Sequence, residues 1–449
     1  MSISIEEIKK TLLLALPIGI GQLGHVLTGV ADYTMLGHHD SLEMASTTFA
    51  TSVFFPIMIL GLGFSIGLTP LVAKSNGAKD PLKVNQLFST GLKLNFAIGI
   101  VLYLLLLLIA QYLFDFNQDP EVVEGCLTYF SIISISIIPL MIFQNFKQFI
   151  EALQDTLTPM YISLGCNVFN VILNYLLIFG VAGFPELGIV GAAISTLVSR
   201  VLMVVVFVFY FYTKKSKRIL LVNALRTRID FTFAKKIIEI GLPISIYMFF
   251  EVTAFSAATF MVGWISKDHL SGHQIALSLA SMSFVVAMGV GNAGSIRTAT
   301  YLGEQKIGKI KDVAVSVIFI VLSLSFLAAL IFLVFKNQLP LIFVPSSETI
   351  IIKQASGMLV LAAIFQFSDG LQVALQGLLQ GVGDVKIPSF IAVISYWGIG
   401  LPLGYWFAFN YGMSAQGIWV GLALGLTFSA VFQSLRYRHV LRKLIVVKK

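Results

Sequence analysis

Charge is what this sequence has least of. Lys, Arg, Asp and Glu together make up 12% of its 449 residues, whereas 57% are apolar. A soluble globular chain carries roughly 25% charged residues. So few ionised groups exclude an ordinary water-facing surface, and with it most soluble enzymes and binding modules. Cysteine is almost missing too: Cys126 and Cys166 are the only two. That excludes a disulfide framework and a thiolate metal cluster. The sequence holds no HExxH, no P-loop and no nucleophile motif. Nothing points to hydrolysis, ATP-driven or otherwise. The chain reads as not an enzyme, with no catalytic residue and no cofactor.

What is present is a series of long apolar runs, most of them longer than the ~20 residues a helix needs to cross a bilayer. Twelve spans are predicted, at 11–36, 47–73, 86–113, 124–149, 158–182, 189–213, 235–265, 270–300, 311–335, 352–379, 387–409 and 416–437. The fold class is therefore an all-α polytopic membrane protein. Span 1 lacks a small-residue cleavage site, carries Asp32 and is followed by further spans. It reads as a transmembrane helix and not a signal peptide. Turn chemistry separates the spans at Asn76-Gly77-Ala78-Lys79-Asp80-Pro81, Asn117-Gln118-Asp119-Pro120 and Gly381-Val382-Gly383-Asp384.

The net charge of +8 does not signal nucleic acid. The basic residues fall in short loops and the tail, where they set topology and meet anionic head groups of membrane lipids. With the N-terminus in the cytoplasm, only Lys267, Lys336 and Lys353 of the 30 Lys and Arg fall outside. The reverse orientation inverts the usual bias, so both termini are expected inside.

The two halves repeat. Leu16-Pro17-Ile18 is answered by Leu242-Pro243-Ile244, and Met35-Leu36-Gly37 by Met261-Val262-Gly263. Gly61-Leu62-Gly63 is answered by Gly289-Val290-Gly291, Asp155 with Pro159 by Asp384 with Pro388, and Gly188-Ile189-Val190-Gly191 by Gly417-Ile418-Trp419-Val420-Gly421. Six helices separate the copies, so both enter the membrane in the same direction. Such repeats build two pseudo-symmetric six-helix lobes with a substrate site between them. The expected division is an N-terminal lobe at 1–213, a basic cytoplasmic linker at 214–234 and a C-terminal lobe at 235–449.

Few ionisable groups lie deep in the spans: Asp32, Glu251, Asp369 and His25. An ionised side chain at bilayer depth costs ~2.5–3.5 kcal/mol on insertion scales, so a membrane protein keeps one for a counter-ion, a proton path or a substrate. The plain alternative for Glu251 is a neutral or paired core carboxylate. Tyr247 lies one turn before Glu251, and Phe365 one turn before Asp369. Acid beside aromatic faces suits a lipophilic cation, although most of the 37 Phe face lipid or pack. A proton or Na⁺ would compete with such a cation for the same negative charge, which is a physical basis for exchange. A second polar group joins Asp32 in span 1 to Asn170 and Asn174 in span 5 and Thr196 in span 6. These oxygens suit Na⁺, or the amides simply bridge helices. Na⁺ is thus placed at Glu251 and Asp369 or at Asp32 and Asn174. Lys93, Lys147, Glu151, Arg200 and Arg297 read as span-end residues that snorkel to water.

Three stretches resemble the multidrug and toxic compound extrusion (MATE) family: Gly29-Val30-Ala31-Asp32-Tyr33-Thr34-Met35-Leu36-Gly37, Leu242-Pro243 through Phe249-Phe250-Glu251-Val252, and Asp369-Gly370-Leu371-Gln372 with Gln380-Gly381-Val382-Gly383-Asp384. The pair Glu251 and Asp369 is similar to that of the NorM-type branch. Asn174 stands where the DinF-type branch has an acid. The resemblance implies a V-shaped, monomeric, two-lobed antiporter of a bacterial inner membrane, exporting lipophilic organic cations for Na⁺ or H⁺. It implies cation or substrate roles for Glu251 and Asp369, and N-lobe roles for Asp32, Asn170 and Asn174. A lipid-linked oligosaccharide flippase of related architecture is the alternative. Its pyrophosphate cargo calls for basic depth, where this sequence places acids.

Overall fold

The computed structural model describes residues 4–116 and 118–446; Asn117 of the second turn and Lys448 and Lys449 of the basic tail lie outside the described residues. Among these, twelve helices are long and apolar enough to cross a membrane. The first six are α1 (Ile5–His39), α2 (Ser41–Gly77), α3 (Pro81–Ala110), α4 (Pro120–Ala152), α5 (Leu157–Phe179) and α6 (Gly188–Thr213). A surface helix in the linker, α7 (Lys215–Arg226), precedes the other six. These are α8 (Phe231–Gly263), α9 (Lys267–Gly303), α10 (Ile307–Val334), α11 (Thr349–Gly381), α12 (Lys386–Asn410) and α13 (Ser414–Val446).

The turn residues read from the sequence do physical work at the helix ends. The Asp80 side chain accepts the Lys83 N–H and opens α3, whose first residue is Pro81. Asp119 accepts the Glu121 N–H at the start of α4. Both satisfy donors that a helix start leaves unpaired, beside a proline that needs none. Gly383 takes φ +83, a left-handed turn that glycine adopts without strain.

Two helices are irregular where the site needs it. In α12, Pro402 supplies no N–H, and the segments Ile394–Gly400 and Trp406–Asn410 open into wider π-helical turns. The Leu401 N–H reaches back five residues to the Tyr396 carbonyl. Such π-bulges re-aim side chains and favour functional sites. In α4, the helix breaks its regular pattern at Ser136.

The helices pack as two compact units. One comprises Met1–Gly19 with Ile246–Lys449, the other Ile20–Ser245. The unit boundaries fall inside α1 and α8, just after the repeated Leu-Pro-Ile. Each repeat thus lends the leading part of its first helix to the unit that holds the other repeat. In the first unit, a Cβ on Gly289 of α9 would lie 2.9 Å from the Ala15 carbonyl and the Gly19 N–H nitrogen of α1. In the second, a Cβ on Gly63 of α2 would lie 2.6 Å from the Ser245 Cα of α8. Only glycine lets the backbones come so close.

Polar side chains fasten the same arrangement. Arg297 of α9 donates to the Glu7 carboxylate, to the Thr11 hydroxyl and, at 2.8 Å, to the Glu7 carbonyl of α1. Thr11 also lies 3.1 Å from Ser316 Oγ of α10. Glu7 and Arg297 are 2% and 4% exposed. Arg297 therefore does not snorkel: it is held inside the protein because its counter-ion is there. Lys147 and Glu151 are likewise buried and lie 4.0 Å apart on α4. Arg200 sits midway along α6, with Nη1 2.6 Å from Ser136 Oγ and its guanidinium over the Phe54 ring. Lys93 donates to the Thr227 carbonyl of the linker.

Candidate functional site

The first unit holds both acids of the candidate pair. Glu251 on α8 and Asp369 on α11 are 7% and 2% exposed, so both face protein and not lipid. Tyr396 of the π-helical turn donates a 2.6 Å hydrogen bond to Glu251 Oε1. Gln372 of α11 donates in turn to the Tyr396 oxygen at 3.0 Å. Asp369 lies within electrostatic reach of both Glu251 and Tyr396. Neither acid forms an ion pair with Lys, Arg or His among the described residues. Glu251 is held by the Tyr396 hydroxyl, which the Gln372 amide in turn supports.

A polar stripe on α11 extends this site. Gln366, Asp369, Gln372, Gln376 and Gln380 recur every three or four residues, which places them on one helical face. All five are buried. Ser283 of α9 donates to Gln366 Oε1 at 2.6 Å. Gln366 Nε2, Gln372 Oε1 and Gln376 Oε1 have no hydrogen-bond partner among the described residues. A buried unpaired amide group costs about 1–3 kcal/mol. A helix that tolerates three of them in one stripe is equipped to meet a polar or charged visitor.

Aromatic rings pack around Tyr396, the partner of Glu251. Phe255, one turn after Glu251, lies 5.9 Å from Tyr396 and 6.2 Å from Phe365 between ring centroids. Phe365 also meets Trp419 edge-on at 5.7 Å. Trp419 Nε1 donates to His273 Nδ1 at 3.1 Å, and the other ring nitrogen of His273 is 3.0 Å from Thr259 Oγ1. Phe365 is thus part of the buried core, while Tyr247 is only partly buried against that core.

The second unit gathers its own cluster. The Asn174 amide donates to Asp32 Oδ1 and lies 3.4 Å from Asn170 Oδ1. Asn170 Nδ2, Asn174 Oδ1 and Asn167 Nδ2 have no hydrogen-bond partner among the described residues. Arg200 lies within electrostatic reach of Asp32 and Tyr129. The Thr196 hydroxyl instead donates to its own helix, at 3.1 Å to the Ala192 carbonyl. These bonds bring Asp32, Asn170 and Asn174 together and do not include Thr196. His25 contributes an unpartnered Nε2 and an edge contact to Phe143 at 6.4 Å.

Tyr396 and Gln376 carry no signal at the level of span and charge, and Arg200, read as a span-end residue, sits midway along its helix. Tyr396 was hidden because the wide turn that aims it depends on Pro402 six residues later.

Helices of this length and a buried acidic site without a cation define a polytopic membrane transporter. The sequence pattern of the MatE family matches residues 17–176 and 243–406, both copies of the repeat, and the chain belongs to that family. It is a multi-pass membrane transporter and not an enzyme. The "Probable multidrug resistance protein NorM" of Xylella fastidiosa is 32% identical over 97% of this chain and 92% of its own length. The protein of the same description from Bacillus cereus is 31% identical over 98% and 96%. The crystal structure of the eukaryotic MATE transporter AtDTX14 matches with a TM-score of 0.86 at 24% identity, covering 98% of each chain. A multidrug resistance MATE family transporter in its outward-facing conformation matches at 0.88 and 18%, covering 98% and 96%. These two structures support the fold.

Proposed function

We propose that this chain exports lipophilic organic cations across a bacterial inner membrane in exchange for H⁺ or Na⁺. The observation that carries the reading is the pair Glu251 and Asp369, both buried, within electrostatic reach of each other and without a cationic partner among the described residues. A cation entering this site replaces water and finds charge already in place, with rings at hand for cation–π attraction. Ion and drug then compete for one negative site, and each drives off the other as access alternates. Asp32, Asn170 and Asn174 offer a second seat for a hard cation in the other unit. The curated relatives are described as multidrug resistance proteins, which supports drug-like cargo and disfavours the flippase alternative. The orientation with both termini in the cytoplasm rests on the loop charges. We take the working unit to be the monomer.

The test is efflux of an ethidium-like cation from vesicles holding the purified protein, first under an imposed Na⁺ gradient and then under an imposed proton gradient. Acceleration by one gradient supports exchange and names the ion. Efflux indifferent to both removes the proposal.

A further inference from the structure

The pocket that opens between the end of α10 and the start of α11 has a volume near 410 Å³. Its lining includes Lys336, Asn337, Thr349, Lys353 and Ser356. The residues from α11 recur at three- and four-residue spacing, so they share one face. The Ser356 hydroxyl donates to the Lys336 carbonyl at 2.8 Å, which ties the chain leaving α10 onto that face. Lys336 and Lys353 thus line the same pocket, one from each side of that tie.

Two features set this pocket apart. Neither ammonium forms an ion pair among the described residues; Glu348, next to Thr349, pairs with neither. The charge pattern also places only three of the 30 basic residues on the outer side, Lys267, Lys336 and Lys353, and two of the three line this one pocket. Selection for topology removes lysine from that side, so a pair kept together there has another purpose. The surroundings say what kind. Phe335, Leu341, Phe343 and, most of all, Ile342 and Ile350 are exposed next to the pocket, at 73% and 60% for the last two. Apolar side chains beside paired ammonium groups match a molecule with a phosphate head and hydrocarbon tails.

We infer that this pocket binds the phosphodiester head group of an anionic membrane phospholipid, with its acyl chains against Ile342 and Ile350. Lys336 and Lys353 supply the charge, and Asn337, Thr349 and Ser356 offer amide and hydroxyl groups for the remaining oxygens. The site is separate from Glu251 and Asp369 and does not depend on what the protein exports.

The experiment uses the purified full-length chain in neutral detergent. Thermal unfolding is followed with added phosphatidylglycerol, phosphatidylcholine or soluble glycerol 3-phosphate. Native mass spectrometry counts the bound lipid. Phosphatidylglycerol is expected to raise the midpoint above phosphatidylcholine and to remain bound as discrete adducts. Lys336→Gln with Lys353→Gln should lose that difference and those adducts, while Lys267→Gln keeps both. An unchanged phosphatidylglycerol effect in the double variant overturns the site. Equal protection by glycerol 3-phosphate overturns the lipid assignment and leaves a soluble phosphate as the ligand.

Discussion

The Tyr396 hydroxyl donates to Glu251 Oε1 at 2.6 Å while accepting from Gln372 at 3.0 Å. One phenol thus joins a carboxylate on α8 to the polar face of α11. Tyr396→Phe keeps the ring and removes only the donor. Loss of a hydrogen bond to a charged group costs about 1.5–3 kcal/mol, so export of an ethidium-like cation should weaken by roughly 10- to 100-fold. Dye efflux from cells with matched protein levels measures it, and a rate within twofold of wild type would remove Tyr396 from the site.

Glu251→Gln and Asp369→Asn preserve shape and erase charge. Each should abolish cation export with expression intact, because the remaining acid alone cannot serve both ion and drug. Resistance to toxic dyes, read beside membrane protein levels, decides this. Full activity in both would refute a shared acidic site.

Asp32→Asn should weaken ion coupling more than drug affinity. Asp32 is bonded to the Asn174 amide in the unit that lacks Glu251 and Asp369. Drug binding by fluorescence should stay within a few-fold, while gradient-driven efflux falls. Unchanged dependence on the gradient would count against an ion role for Asp32.

Gln376→Leu tests the glutamine stripe by making stability and function move in opposite directions. Gln376 is 4% exposed and its Oε1 has no partner. An apolar side chain of similar size removes that desolvation cost, so the unfolding midpoint should hold or rise. Exchange should fall if the stripe receives ions. A stable variant with normal transport would make the stripe mere packing.

Glu7→Gln should destabilise the first unit more than Arg297→Gln. Glu7 keeps Lys10 and Lys309, both at 3.7 Å, when Arg297 is lost. Arg297 has Glu7 as its one acidic partner among the ion pairs of the described residues. Stranding a buried charge costs about 3–5 kcal/mol. Thermal unfolding of the two single variants and the double gives the order, and equal losses in both singles would contradict it.

Much of this molecule is legible as sequence because the bilayer leaves the chain few options. Backbone groups in hydrocarbon must bond within their own segment, so apolar length alone yields helices and their number. The acids could be singled out because a carboxylate in an apolar run is expensive to keep. The repeat gave two equivalent halves, and the spacing in span 5 placed Asn170 and Asn174 on one face. Only the tertiary structure decided which unit each helix half joins, since the repeat runs from Leu16 and Leu242 while the packing divides after Gly19 and Ser245. That depends on glycine contacts between residues more than 180 positions apart, such as Gly63 with Ser245. It also decided that Arg297, Lys147 and Arg200 stay inside and that Tyr396 meets Glu251. Those outcomes follow from which charged and polar groups come within about 3 Å of one another, a distance that hydropathy does not encode.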